Sequence, residues 1–336
     1  MRLTIKDIAA EAHVSISTVS KCLNGYTDIS EDTRKHVLET IQRMDYVPNT
    51  FARYVANKPT GEIGLTVPDV KDPYFAQSTY GIETALKKEG YHLFMGNLDR
   101  SERNLIEFIR RAREMRFDGL IITPDSWSNE LVDMINNLDM PVLSIRRRPP
   151  EKCHIPYIDV DHIACARTML DYLYSIGHRK IAQAVLNNEA GLLRAQAYTG
   201  FAMEKGLEER TAASPIPASI LSDAIRNGEE ACRMIMSQWP DTTAIFCGSD
   251  FIAIGIFVYL RKIGKKVPED ISVVGIGNNE EARLPWFDLT TMELHRFEMG
   301  QLATDMLHSM ICGERVENKL CRASLIVRGS TRRIYH

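Results

Sequence analysis

The first 47 residues carry apolar positions at helical period and no strand-like alternation. Ile5, Ile8, Ala9 and Ala12 recur at i, i+3, i+4 and i+7 behind Thr4, which with Asp7 three positions on forms a short capping box. Ser15 opens a second predicted helix whose buried side is Val19, Cys22 and Leu23, and Asn24-Gly25 closes it. Ser30 opens a third, with Val37, Leu38, Ile41 and Met44 inward. Three short helices joined by tight turns have the spacing of a helix-turn-helix unit.

Residues 48–60 read as a linker punctuated at both ends by proline. Within it Phe51, Ala52, Val55 and Ala56 fall at helical spacing, in a helix too short to persist alone in water. From Glu62 onward the period changes. Short apolar runs at 63–67, 92–95, 119–123, 141–145, 180–186, 244–247 and 271–276 alternate with amphipathic stretches at 74–89, 102–115, 163–175, 193–205, 223–239 and 250–263. Continuous apolar strands separated by crossover helices predict parallel sheets covered on both faces. The length suits two doubly wound lobes, with a ligand expected in the cleft at the carboxyl ends of their strands. The fold class is thus an all-α helix-turn-helix headpiece plus an α/β core of two doubly wound parallel-sheet lobes.

Composition narrows the function. The 336 residues are 44% hydrophobic and 25% charged with a formal net charge of −3, which fits two or three globular units rather than a disordered chain. No run of 18 apolar residues could span a bilayer, and Lys6, Asp7 and Glu11 interrupt any signal-peptide core, so a cytoplasmic protein without a membrane partner is expected. Seven cysteines without a C-x-x-C pair read as reduced thiols, and no His spacing completes a metal site. No phosphate-binding loop is present, Gly275-Ile276-Gly277 lacks a third glycine, and Gly248-Ser249-Asp250 is no nucleophile elbow. No enzyme, catalytic residue, metal or cofactor is therefore expected. His178, after Gly177, is expected to cap a helix or face solvent.

The outward set of the second helix is Ser15, Ile16, Ser17, Thr18, Ser20 and Lys21. Ser15, Thr18 and Ser20 are short donors suited to phosphate oxygens. Ile16 suits a thymine methyl, Ser17 either kind of base edge, and Lys21 guanine O6 and N7. Against DNA stands the charge count. Residues 1–58 hold 8 Lys+Arg and 7 Asp+Glu, a balance that also suits a helical module contacting a protein partner on a small-molecule-binding protein.

The segments Thr4-Ile5-Lys6-Asp7-Ile8-Ala9 and Val14-Ser15-Ile16-Ser17-Thr18-Val19-Ser20-Lys21-Cys22-Leu23-Asn24 closely resemble the N-terminal signature of the LacI/GalR repressor family. The likeness continues in family order through Tyr46-Val47-Pro48-Asn49, Asp72-Pro73-Tyr74-Phe75, Asp118-Gly119-Leu120-Ile121, Gly177-His178-Arg179-Lys180, Pro268-Glu269-Asp270-Ile271 and Arg328-Gly329-Ser330-Thr331. The resemblance implies a headpiece over 1–47, a hinge helix and linker over 48–60, and a core like periplasmic sugar-binding proteins. It divides that core into one subdomain of 61–161 plus 293–320 and another of 162–292 plus 321–336. It implies a homodimer on a pseudo-palindromic double-stranded operator, repression of carbohydrate-related genes, and a small-molecule effector in the cleft. No heptad tail follows Thr331, so dimers rather than tetramers are expected.

Carried over by position, Thr4, Ser15, Thr18, Ser20 and Asn24 would meet the DNA backbone, and Ile16, Ser17 and Lys21 would read bases. Ala52 would lie in the minor groove and Val55 would be the intercalating wedge. Relatives generally carry Leu where this chain has Val55, and Gly where it has His13, a turn position of expected positive φ. Three sugar-contacting positions of the family are also altered. Ala197 stands for an Arg, Gly277 for an Asp and Leu294 for a Gln, which disfavours a neutral pyranose in the usual pose. Arg146 and Arg194 are the substitutes expected to hold a sugar acid or sugar phosphate, since Arg binds carboxylate or phosphate bidentately. A solvated basic turn at Arg146-Arg147-Arg148 and a surface Arg194 are the alternative. Phe75, Thr123, Asp250, Asn278 and His295 complete the expected effector set, Phe75 serving equally as core. A shorter, β-branched wedge fills an opened base step less well. Val55→Leu is therefore expected to tighten operator binding, measured by titration and by DNA bend; unchanged affinity and bend would remove Val55 from that role.

Overall fold

A computed structural model describes residues 3–23, 26, 28–46, 59–214 and 221–335. The hinge positions Ala52 and Val55, and Asn24, lie outside the described residues. The chain divides into two compact units, residues 1–60 and 61–336.

In the first unit, α1 (Ile5–Glu11), α2 (Ile16–Leu23) and α3 (Glu31–Arg43) close on Ile8, Ala9, Ala12, Val19, Cys22, Val37 and Tyr46. The predicted starts are made by side chains. The Thr4 main-chain N–H and hydroxyl both donate to Asp7, at 2.8 and 2.7 Å. The Ser15 and Ser30 hydroxyls accept from the main-chain N–H groups of Thr18 and Thr33. His13 has φ 52°, the left-handed conformation expected of that turn. One inward assignment is corrected: Leu38 is 45% exposed, and Thr40 is buried instead. Residue 38 lies about 100° around the helix from Val37, on the far side from Met44.

The second unit contains two six-stranded sheets. The first has the order β11-β5-β4-β3-β1-β2, the second β12-β10-β9-β8-β6-β7. The strands of the first are β1 (Glu62–Val67), β2 (His92–Asn97), β3 (Gly119–Ile122), β4 (Val142–Ile145), β5 (Tyr157–Val160) and β11 (Lys319–Cys321). Those of the second are β6 (Ile181–Val185), β7 (Thr211–Ala213), β8 (Ala244–Cys247), β9 (Ser272–Gly277), β10 (Thr290–Glu293) and β12 (Ser324–Ile326). Every pairing is parallel except β10 with β12. The chain therefore crosses between lobes after β5, after β10 and between β11 and β12.

Helices α4 (Ala76–Lys88), α5 (Glu102–Glu114) and α6 (Asn129–Asn136) follow strands of the first sheet. Helices α7 (His162–Ser175), α8 (Glu189–Lys205), α9 (Leu221–Gln238) and α10 (Asp250–Lys262) follow strands of the second or lead into it, and α11 (Arg296–Ile311) returns the chain to the first lobe. The return depends on a close helix crossing. A Cβ at Gly81 of α4 would sit 2.1 Å from the Phe297 carbonyl oxygen, and one at Gly300 of α11 2.3 Å from that of Ser78. Backbone leaves no room to yield there. Gly300→Ala is accordingly expected to lower core stability by about 1–3 kcal/mol, read by denaturant unfolding; an unchanged midpoint would contradict this crossing.

Candidate nucleic-acid face and effector cleft

The headpiece places its predicted contacts along the start of α2. Thr4, Ser15, Ile16 and Ser17 are exposed, while Thr18, Ser20 and Lys21 are half-buried. The Ser15 and Thr18 hydroxyls lie 2.8 Å apart, forming one donor–acceptor patch. Lys21 is ion-paired with Asp28, so its reach toward a base edge requires that exposed pair to open. Exposed pairs of this kind contribute little to stability.

In the core, the carboxyl ends of both sheets face one cleft of about 280 Å³. The first lobe contributes Asp72, Tyr74, Arg100, Asp125, Arg146 and Arg147, and the second Asn187, Asn188, Arg194, Ser249, Phe251 and Asn279, with Ile276 and Leu294 as apolar wall. Four arginines thus meet two aspartates.

Arg146 follows β4 with φ 70°. Its guanidinium lies 4.7 Å from the Phe75 ring centroid and 5.6 Å from that of Tyr74, a cation–π seat that tolerates a desolvated charge. Burial lowers its pKa, opposed by Tyr74 and Asp125. Asp125 is shared: Arg100, Arg146 and Arg147 approach its oxygens at 3.8, 3.8 and 3.9 Å, near enough for attraction and too far for hydrogen bonds. Arg147 also donates to Glu189 across the cleft mouth at 2.6 Å.

Arg194 is 3% exposed, so neither a surface position nor solvation describes it. It donates from Nη1 to the Gly248 carbonyl at 2.5 Å and from Nη2 to His162 Nδ1 at 3.2 Å. The buried Nε atoms of Arg146, Arg147 and Arg194 have no acceptor. Buried N–H groups of a cation are seldom left so.

The remaining predicted effector residues stand behind this wall, a correction to their placement. Phe75 is core, seating Arg146, and borders a separate groove of about 770 Å³ along α4 and β2. The Thr123 hydroxyl donates to the Thr66 carbonyl at 2.6 Å, tying β3 to β1. Asn278 accepts from Arg328 at 2.6 Å and donates to Glu293. His295, with φ 51°, pairs through Nε2 with the Ser324 hydroxyl at 2.8 Å. Asp250 is fully buried and accepts from Thr291 Oγ1 at 2.6 Å and from the Asn279 N–H at 2.9 Å. Each of these polar groups has a protein partner, and half-buried His295 has one through Nε2. Asp250 and Arg296 together hold Asn279, whose Oδ1 accepts from Arg296 Nη2 at 2.8 Å. His178 is also corrected: it is buried, its Nδ1 2.9 Å from the Thr243 hydroxyl and its Nε2 3.2 Å from the Arg332 carbonyl.

Sequence reasoning missed Asp72, Tyr74, Arg100, Asp125, Asn188 and Asn279. Their common signal is position, one to several residues past a strand end, which the cleft rule identifies once strands are known.

The family described as periplasmic binding proteins and sugar binding domain of LacI family matches residues 60–328, and the lacI family of bacterial regulatory proteins matches residues 4–49. The chain belongs to the LacI family. Among its relatives, the transcriptional regulator RegA of Clostridium acetobutylicum is 30% identical, with 93% of each chain covered. The transcriptional repressor CytR of Escherichia coli K12 is 28% identical over 98% of this chain and 96% of CytR. A Lac repressor dimer bound to operator and an anti-inducer superposes with a TM-score of 0.86 at 23% identity, covering 99% of this chain and all of that one, and shows the shared fold.

This LacI-family chain is therefore a DNA-binding transcriptional regulator with a sugar-binding type of core, and its relatives are regulators rather than enzymes. Among the described residues no helix is long and apolar enough to cross a membrane, and no group of three or more candidate metal ligands is found. Of the altered sugar positions, Leu294 lines the cleft as an apolar group and Gly277 adjoins it beside Asn279.

Burial pushes the Asp250 carboxyl up to about 6, against the hydrogen bonds from Thr291 and Asn279. A carboxyl whose folded pKa lies above its unfolded value binds its proton more tightly when folded. Its contribution favours folding at low pH and is lost as pH rises from about 4 through about 6. The stability of Asp250→Asn relative to the parent is expected to increase as pH is raised from 4 to 7, followed by thermal unfolding; a constant difference would contradict it.

Proposed function

We propose that this LacI-family regulator acts in the cytoplasm as a homodimer on a pseudo-palindromic operator, repressing carbohydrate-related genes under control of a sugar acid or sugar phosphate. The observation that carries the effector class is the convergence of Arg146 and Arg194 from opposite lobes on one cleft. Carboxylate and phosphate are the planar or tetrahedral oxyanions that guanidinium groups recognise. Asn188, Ser249 and Asn279 on the second lobe supply hydroxyl-binding groups beside them. Phe75 seats Arg146, while Thr123, Asp250, Asn278 and His295 fix the wall.

On the DNA side, Thr4, Ser15, Thr18, Ser20 and Asn24 hold the backbone, Ile16, Ser17 and Lys21 read base edges, and Ala52 and Val55 enter the minor groove. The domain division is headpiece 1–47, hinge 48–60, and subdomains 61–161 plus 293–320 and 162–292 plus 321–336.

A second reading, a small-molecule-binding protein whose headpiece docks on another protein, is favoured by the nearly neutral headpiece and by the Lys21–Asp28 pair. Selection of sequences from a random DNA pool by the full-length protein separates the two. Inverted half-sites about one helical turn apart are expected, and the absence of any enriched motif would favour the protein partner. On the selected operator, Lys21→Ala is expected to cost about 1–3 kcal/mol at one base pair per half-site. An equal loss on all sequences would place Lys21 on phosphate.

A further inference from the structure

At the crossing from β5 into α7, the effector-site Arg194 joins two buried polar side chains, His162 and Asp159, whose role the contacts above leave open. Arg194 Nη2 lies 3.2 Å from His162 Nδ1, and His162 Nε2 lies 3.4 Å from Asp159 Oδ1. All three side chains are nine-tenths or more buried. The charged groups facing the imidazole are Asp159 on β5, Arg148 beyond β4 and Arg194 on α8; Arg148 Nε is 3.6 Å from the other Asp159 oxygen.

A guanidinium can only donate, so His162 Nδ1 must be the acceptor and carry no proton. The single imidazole proton then sits on Nε2, facing Asp159. Burial lowers the His162 pKa, with Arg194 and Arg148 adding to that effect and Asp159 opposing it, which keeps the ring neutral. The Asp159 Oδ1 atom is itself fixed by the Val160 N–H at 2.8 Å. The Arg194 donor thus fixes the tautomer, with the Asp159 carboxylate 3.4 Å from the nitrogen that carries the proton.

We propose that His162 is a positioning residue of the effector site, presenting a bare Nδ1 that holds the Arg194 guanidinium at the wall of the cleft. This rests on the reading of the cleft as an acid-binding site, and it goes beyond that reading by assigning how one of its arginines is held. Asp159 lies on the first lobe and His162 on the second, so the arrangement also ties the grip on the ligand to the crossing between lobes.

The test has two arms, both on the full-length protein. Long-range proton–nitrogen NMR of the parent, with the His162 signal assigned by its loss in His162→Gln, is expected to show a pyridine-like Nδ1 and a pyrrole-like Nε2; a protonated Nδ1 overturns the proposal. Calorimetric titration then compares D-glucuronate, D-gluconate and D-glucose 6-phosphate with D-glucose. Asparagine places an oxygen where Nδ1 stands and glutamine does not. His162→Asn is expected to keep the parent's preference for acid, and His162→Gln to lose roughly tenfold of it with glucose binding unchanged. Equal behaviour of the two variants overturns the positioning role while leaving the acid-binding reading intact. A parent that prefers none of the acids overturns that reading, and the role of Arg194 with it.

Discussion

Guanidinium charge gathered at the carboxyl ends of two parallel sheets is the constraint on which the core depends. A buried arginine survives only with partners that replace its hydration. Here the partners are unusual: aromatic faces for Arg146, one carbonyl and one imidazole for Arg194, and a single carboxylate shared at a distance by three arginines. Each cation is held, and none of the three with an unpartnered Nε is saturated. Arg148 Nε, Arg296 Nη1 and the Gln183 amide are likewise buried without a partner, so incomplete satisfaction extends beyond the cleft lining.

The same groups bind one lobe to the other. Arg147 reaches Glu189 across the mouth, Arg194 reaches Asp159 through His162, and Arg296, 1% exposed at the start of α11, donates to the Gly277 carbonyl and to Asn279. The chain crosses between lobes at Asp159–His162 and just before Arg296, and not at the Arg147–Glu189 pair. A ligand that draws on Arg146 from one lobe and Arg194 from the other changes the balance of contacts holding the lobes in register, which is the differential affinity that a ligand-controlled switch requires.

Much of the architecture was legible from periodicity alone. Seven apolar runs and six amphipathic stretches fall on strands and helices of the two lobes, most because covered parallel strands are continuously apolar; the edge strand β2 is apolar although Phe94 and Met95 are exposed. What escaped includes β10 and the sixteen-residue α11, and otherwise short or interrupted elements. β5 carries Asp159 in its middle, β7, β11 and β12 have three residues each, and α6 has eight. Such elements are stabilised by pairing with neighbours distant in sequence, which no local pattern records. The site divides along the same line. Arg146 and Arg194 stood out as cations replacing expected sugar-binding groups, but the tertiary partners of Asp125, Asn279 and His162 left no local trace. Asn278 and His295, carried over from the resemblance, are engaged by Glu293, Arg328 and Ser324.

The cleft is proposed to take an organic acid through these arginines. The most direct test of this is calorimetric titration of full-length protein and Arg194→Ala with matched acid and neutral sugars at near-physiological salt. Preference for an acid in the parent, lost in Arg194→Ala, is predicted. Tight binding of a neutral sugar, with every acid failing and Arg194→Ala unchanged, would contradict it.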